Sequence, residues 1–324
     1  VVDNGSQDDT VERMRKEFAD VRLVTLPENR FFIRGNAAGV TAAITGDQVP
    51  DRLVFVNNDM TVEPEFLAEL LAGFSTPDVF AVTSQIAMDP PVETGLTRAE
   101  FRRGALHQVQ VPHGQARAIP ALWAGGGSSA FDTRKFVELG GFEALYEPCY
   151  SEDTSLSYVA WRLGYRVHYS PRAVAHHAHR GTSTRVFGRR GVERLSRRNR
   201  ELFYWRAVTD LRMVWSHGLF LGWNAAKDAR RLRAIPRPFG MQCEAICQAL
   251  ARFPRALGSR PRLRANAQRT DREVLAVAND VHRYASSIGA APARPIILLS
   301  IGAADAPPLT TRSPALTIRH HRLL

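Results

Sequence analysis

The sharpest pattern of apolar and polar positions lies at Leu53-Val54-Phe55-Val56-Asn57-Asn58-Asp59-Met60, where an unbroken apolar run stops on three polar residues. Consecutive apolar residues with β-branched members predict a strand covered on both faces of an α/β sheet. Asn57, Asn58 and Asp59 then fall just past its carboxyl end, where open α/β sheets bind their ligands. A carboxylate flanked by amides there can hold a hard cation through oxygen. An Asn/Asp turn before the next helix is the plainer reading.

The pattern alternates around that strand. Val1-Val2 reads as a strand end, Asn4-Gly5 as a turn, and Asp8 or Asp9 as the cap of a helix with Val11, Met14 and Phe18 on its apolar side. A strand over 21–26 stops at Pro27, and 36–44 predicts a small-residue helix ended by Gly46. Phe66, Leu67, Leu70, Leu71 and Phe74 place a helix over 63–74, and a strand follows at 80–83. Such short alternation predicts a doubly wound sheet with right-handed crossovers. From Pro90 to Pro120 the polar, Gly- and Pro-punctuated stretch predicts a mobile excursion over the sheet.

Order returns at Ala124-Gly125-Gly126-Gly127, whose glycines allow a backbone or a ligand to come close. Asp132 or Thr133 caps a helix through Leu139, and Ser151 caps another with Leu156, Val159, Ala160 and Leu163 on one face. That places Glu152 and Asp153 in the first helical turn. A strand over 165–169 follows, and Ala173-Val174-Ala175 leads into His176-His177-Ala178-His179. Helices are expected at 192–208 and 211–232, with weaker ones at 242–253 and 272–288, and Ile296–Gly302 reads as an isolated strand. The expected organisation is a sheet domain over 1–188, a basic helical region over 189–290, and a tail over 291–324 that starts a further domain.

Composition narrows the partners. The 324 residues carry a formal charge of +11, with much of the excess between Arg180 and Arg272. That balance suits an anionic partner: nucleic acid, acidic phospholipid or a phosphate-rich substrate. No nucleic-acid-binding module is visible, which leaves the other two. Cys149, Cys243 and Cys247 make no disulfide framework or CxxC pair, so a reducing compartment is expected. No apolar run approaches the roughly 20 residues of a membrane span, which predicts a soluble or peripheral protein. Opening on Val1, within a strand and without an initiator Met, the chain reads as a truncated domain.

Three polar clusters stand where chemistry is done: Asp3 after one strand, Asn57–Asp59 after another, and Glu152-Asp153 at a helix start. Asp3 could accept from a base or ribose, Asp59 could hold a metal under phosphates, and Glu152-Asp153 could take a proton from a hydroxyl nucleophile. Acidic residues in a first turn also simply suit the helix dipole. His176, His177 and His179 could ligate a divalent metal, although H-x-x-H spacing alone is also that of an ordinary loop.

Taken together, Val1-Val2-Asp3-Asn4-Gly5-Ser6-Gln7-Asp8, Pro27-Glu28-Asn29 with Gly35-Asn36-Ala37-Ala38-Gly39, Phe55–Met60, Gly126–Phe142, and Ser151-Glu152-Asp153 through Val167 resemble the family 2 glycosyltransferases over about residues 1–185. The nearest likeness is to a bacterial, rhamnosyltransferase-like branch of surface polysaccharide assembly. The resemblance implies a GT-A fold followed by a mainly helical region, a nucleotide-diphosphate sugar donor, a divalent metal (Mg or Mn), and inversion by single displacement. Position by position it implies Asp3 as the nucleotide-binding acid, Asp59 as the metal acid joined by His176 or His177, and Asp153 as the base beside Glu152. Asn4, Gly5, Ser6, Asn36, Asn57, Asn58 and Gly126 are the remaining donor contacts it implies. Three departures stand out: Asn57 where many members have Asp, Phe31-Phe32-Ile33-Arg34 where a small Gly-rich approach is usual, and a missing first strand.

The expected activity is metal-assisted sugar transfer to a lipid-linked or polysaccharide acceptor, in the cytoplasm or on the inner membrane face. A catalytically inactive basic protein on anionic membrane, and a nucleotidyltransferase, are the alternatives. Arg-rich helices bearing Trp205, Trp215, Phe220 and Trp223 serve a membrane reading, or else pack their apolar face on the sheet.

Overall fold

A computed structural model describes residues 1–88, 92–109, 118–177, 182–232, 239–279 and 295–302. His179, the far end of the helix expected at 272–288 and most of the tail lie outside them. The first half runs β1 (Val2–Asn4), α1 (Thr10–Glu17), β2 (Val24–Thr25), α2 (Phe31–Ile44), β3 (Arg52–Asn57), β4 (Met60–Val62), α3 (Phe66–Ala72) and β5 (Val79–Met88). β6 (Val92–Thr94), β7 (Ala99–Arg102), β8 (Ala105–Gln108) and β9 (Ile119–Pro120) follow, then β10 (Ser128–Asp132), α4 (Thr133–Glu138), α5 (Glu152–Arg162) and β11 (Arg166–His177). Helices α6 (Thr182–Ala207), α7 (Leu211–Leu232), α8 (Phe239–Leu250), α9 (Phe253–Gly258), α10 (Arg260–Asn266) and α11 (Asp271–Asn279) precede a last strand, β12 (Pro295–Gly302).

The main sheet has the order β2-β1-β12-β3-β10-β5-β11-β4, with β6 on β5 and β9 on β11. It is mixed rather than wholly parallel: β10 runs antiparallel to both β3 and β5, and β4 antiparallel to β11. The strand read as isolated is part of it, since β12 lies parallel between β1 and β3, with Val2 opposite Ser300 and Leu53 opposite Ile296. A strand therefore stands beside β1 and β3, where the sequence alone shows a gap.

Strand alternation sorts the core. Leu53 and Phe55 point to one face, where Phe55, Phe131, Phe136 and Phe142 cluster with ring centroids 5.2–6.0 Å apart. Val54 and Val56 point to the other, against Phe66 and Leu70 of α3. Both faces are covered, as an all-apolar strand requires.

The described residues of the 90–120 stretch, 92–109 and 118–120, are more regular than the composition suggests. β7 and β8 form a hairpin whose turn residues, Arg103 and Gly104, have φ of 48° and 78°, the signature of a two-residue turn matched to strand twist. Gly104 sits so close to Ser216 and Phe220 of α7 that a Cβ would meet the Ser216 carbonyl oxygen at 2.4 Å. The helical region is fastened by buried Asp271, which accepts from Tyr158 Oη at 2.7 Å, Arg162 Nη1 at 2.7 Å, and the Thr209 and Asp210 amides at 2.9 and 2.6 Å. A carboxyl so enclosed is tolerated because its oxygens are engaged by these donors.

Candidate active site

The Asp3 end of the candidate site is built from tight turns. Asp3 is buried at the end of β1, and its Oδ1 accepts the Ser6 amide at 3.2 Å. Gly5 has φ of 78°, and a Cβ there would stand 2.5 Å from the Glu28 carbonyl carbon, so only glycine lets the two loops touch. Asn4 braces that contact, taking the Arg30 amide on Oδ1 at 2.8 Å and giving Nδ2 to the Phe31 carbonyl at 3.2 Å. Asn36 is buried and spends its amide on the Phe32 carbonyl, 2.9 Å away in its own helix.

Asp59 sits half-buried in the turn between β3 and β4, with exposed Asn58 before it. Across the β4–β11 pair, His177 lies opposite Met60 and His176 opposite Thr61. Neighbouring residues on a strand face opposite ways. His177 accordingly brings Nε2 to 3.2 Å from Asp59 Oδ2, while His176 turns to Glu63, 2.7 Å from its Oε1. Of the two histidines, the structure brings His177 and not His176 to the aspartate. Among the described residues, no group of three or more His, Cys, Asp or Glu side chains gathers into a metal-holding cluster. A carboxylate oxygen beside an imidazole nitrogen nonetheless fits a divalent ion that takes its other ligands from phosphate and water.

The start of α5 meets this turn through the glycine loop. The Asn57 amide donates to the Gly127 carbonyl at 2.8 Å, and the next glycine back, Gly126, directs its amide at Asp153 Oδ2 at 3.4 Å. Neither glycine has room for a side chain, since a Cβ would stand 2.8 Å from Phe32 at Gly126 and 2.5 Å from Asn57 at Gly127. Asp153 also accepts from the Thr154 amide at 2.6 Å.

The two acids of α5 differ. Glu152 is buried, and its Oε2 has no hydrogen-bond partner. Burial, and after it the charge of Asp153, push its carboxyl well above the usual range. Asp153 is partly exposed and better hydrogen-bonded. Its carboxyl is also raised, first by desolvation, with the Thr154 and Gly126 amides pulling the other way. Ser151 does not cap α5 with its side chain: its φ is 70°, and Tyr150 before it has φ of 80°. Sequence reasoning named Ser151 only as a cap and missed Tyr150 and the left-handed turn the two make, because neither residue type signals one.

The family model described as glycosyltransferase like family 2 matches residues 1–201, well over half of the chain. The chain belongs to that family. Family membership and the observed α/β topology together carry the GT-A class of fold. No curated protein matches the chain. Among solved structures, GalNAc-T7 with UDP, GalNAc and Mn²⁺ is similar at 14% identity and a TM-score of 0.49, over 63% of this chain and 41% of that one. The chain thus spans less than half the length of that protein. The mannosyltransferase PcManGT from Pyrobaculum calidifontis, with GDP-Man and Mn²⁺, is similar at 17% identity and a TM-score of 0.41, over 78% of this chain and 76% of that one. S. aureus TarS 1-349 follows at 14% identity and a TM-score of 0.46, over 82% and 73%.

Proposed function

We propose that this glycosyltransferase moves a hexosyl or deoxyhexosyl group, with inversion, from a nucleotide-diphosphate sugar to a hydroxyl of a lipid-linked or polysaccharide acceptor. The observation that carries the reading is the Asn57–Gly127 and Gly126–Asp153 pair of hydrogen bonds, which joins the metal-acid turn to the acid at the start of α5. In this reading Asp3 binds the nucleoside, Asp59 and His177 hold a divalent cation, and Asp153 is the general base.

The acceptor oxygen attacks the anomeric carbon while the bond to the diphosphate breaks, and the leaving diphosphate takes the electron pair. The hydroxyl proton passes to Asp153, the accessible carboxylate of the α5 pair. Glu152 is buried and offers no exposed second nucleophile, which favours single displacement over a covalent intermediate. A bound divalent ion supplies charge neutralisation for the diphosphate. Excess positive charge and the exposed apolar side of α7 support a place against an anionic membrane, with Leu211 at 75%, Trp215 at 71% and Trp223 at 68% exposure. Among the described residues, no helix is long and apolar enough to cross a membrane.

The test is turnover of a panel of UDP-, GDP- and dTDP-sugars with Mn²⁺ or Mg²⁺ and polyprenyl-linked or oligosaccharide acceptors. Metal-dependent transfer with an inverted linkage is expected. Metal-independent turnover, or a retained linkage, would overturn the reading.

A further inference from the structure

The acids of α5 follow two residues that L-amino acids rarely supply in this conformation, Tyr150 at φ 80° and Ser151 at φ 70°. Such a backbone persists only where its surroundings hold it, and held strain of this kind gathers at functional sites. What holds it comes from α6. Asn199 is fully buried, and its Nδ2 donates to three carbonyls of the approach to α5: Tyr146 at 2.7 Å, Cys149 at 2.8 Å and Tyr150 at 2.8 Å. Its Oδ1 accepts Arg198 Nε at 2.8 Å, which fixes the amide so that its N–H side faces the carbonyls. Arg198 adds bonds of its own to the Tyr146 and Glu147 carbonyls.

An amide nitrogen has only two hydrogens, so one of the three bonds is shared. The arrangement turns successive carbonyls toward one point, and a carbonyl left there without a donor would be a buried unpaired acceptor. The loop meets α5 a second time where Tyr146 Oη donates to Ser155 Oγ at 2.8 Å. Neighbouring Cys149 cannot serve as an alternative anchor by ionising, because burial raises its thiol to about 12.

We infer that Asn199, oriented by Arg198, is a positioning residue for sugar transfer: it holds the left-handed Tyr150–Ser151 turn and thereby sets where Asp153 meets the acceptor hydroxyl. The inference rests on Asp153 being the base. It asks nothing of the nucleotide loops, which lie on β1 and β3.

The experiment uses the whole chain and three readouts: kcat with the donor that the panel selects, the Kd of UDP or GDP with Mn²⁺, and amide exchange across 150–154. Asn199→Ala is expected to lower kcat about 10–100-fold, leave nucleotide Kd within about twofold, and speed exchange at those amides. Asn199→Asp, the same shape with no donor, should behave alike. Asn199→Ser, which keeps one donor, should fall between and serves if the Ala variant does not fold. Adding Ser151→Gly to Asn199→Ala should recover part of the lost rate, since glycine takes positive φ without strain. A merely structural asparagine predicts no such recovery.

Unchanged exchange at 150–154 would overturn the clamp. Faster exchange with unchanged kcat, while Asp153→Asn is inactive, would overturn the positioning role. Wild-type activity in Asp153→Asn would sink the base assignment instead, so the two failures are told apart.

Discussion

The Asp3 end and the Asp153 end of this site are put together in opposite ways. Around Asp3 the side-chain bonds are of shorter range: Ser6 to Asp3 spans three residues, and Asn4 reaches Arg30 and Phe31 across 26 and 27. Around Asp153 the supports are remote, with Asn199 reaching back 53, 50 and 49 residues, and Asp271 fastening Arg162 and Tyr158 across 109 and 113. A turn that grips a ligand through backbone amides can be specified by the few residues that form it. A carboxylate that must meet one proton of an incoming substrate is placed by the whole fold, because sub-ångström errors there cost rate.

The largest way to expose that contrast is Asp153→Asn, which keeps shape and removes the base. Transfer should fall about 10²–10⁴-fold while UDP or GDP affinity with Mn²⁺ stays as it was; steady-state kinetics beside calorimetry separate the two. Next comes the metal turn. Asp59→Ala should weaken Mn²⁺-dependent nucleotide binding by at least about 10–100-fold, and His177→Ala by less. His176→Ala, which breaks only an exposed pair with Glu63, should change it hardly at all. Equal losses for the two histidines in calorimetry would contradict the strand alternation argued above.

A smaller effect is expected outside the site. Trp215→Ser and Trp223→Ser should each reduce attachment to phosphatidylglycerol vesicles about tenfold, with transfer to a soluble acceptor unaffected. Binding that ignores both tryptophans, anionic lipid and salt in flotation would remove the membrane surface from the picture, and sedimentation would then show whether a second copy covers α7.

The smallest is a stability effect of Glu152→Gln. Because the folded-state carboxyl of Glu152 lies above its ordinary value, its protonation supports the fold fully below the normal glutamate range. That support is lost as pH rises through the raised value. The glutamine variant has no such loss, so it should gain on the wild type by an amount on the order of 1 kcal/mol in mildly alkaline buffer, and nothing in acid. Urea unfolding at several pH values would read this, and a gap independent of pH would refute it.

Much of the frame was legible from residue order, for reasons that differ by element. β3 and its polar stop needed only an apolar run ending on Asn57-Asn58-Asp59, and α5 needed only its 3.6 spacing. Which histidine joins Asp59 was not legible, because it depends on β11 being one strand to His177 and on its pairing with β4. The β7–β8 hairpin was hidden because its turn begins with Arg103, a residue type that does not announce positive φ. The tryptophans divided only in three dimensions: Trp205 packs edge-on against Phe253 at 5.0 Å, whereas Trp215 and Trp223 lie in the open. Asn199 reads as one more polar residue in an arginine-rich helix until the carbonyls it serves are seen.

The place of β12 bears on how the molecule comes into being. Within the sheet, β1 pairs only with β2 and β12 among the described residues, so the edge carrying Asp3 joins the strand carrying Asn57 through residues 295–302. Val2 and its partner Ser300 stand at opposite ends of the sequence. Closing so long a loop is entropically slow, and chains rich in such pairings fold late. The sheet edge that carries Asp3 thus depends on pairings of very long sequence separation, which chain entropy makes the costliest in the sheet to close.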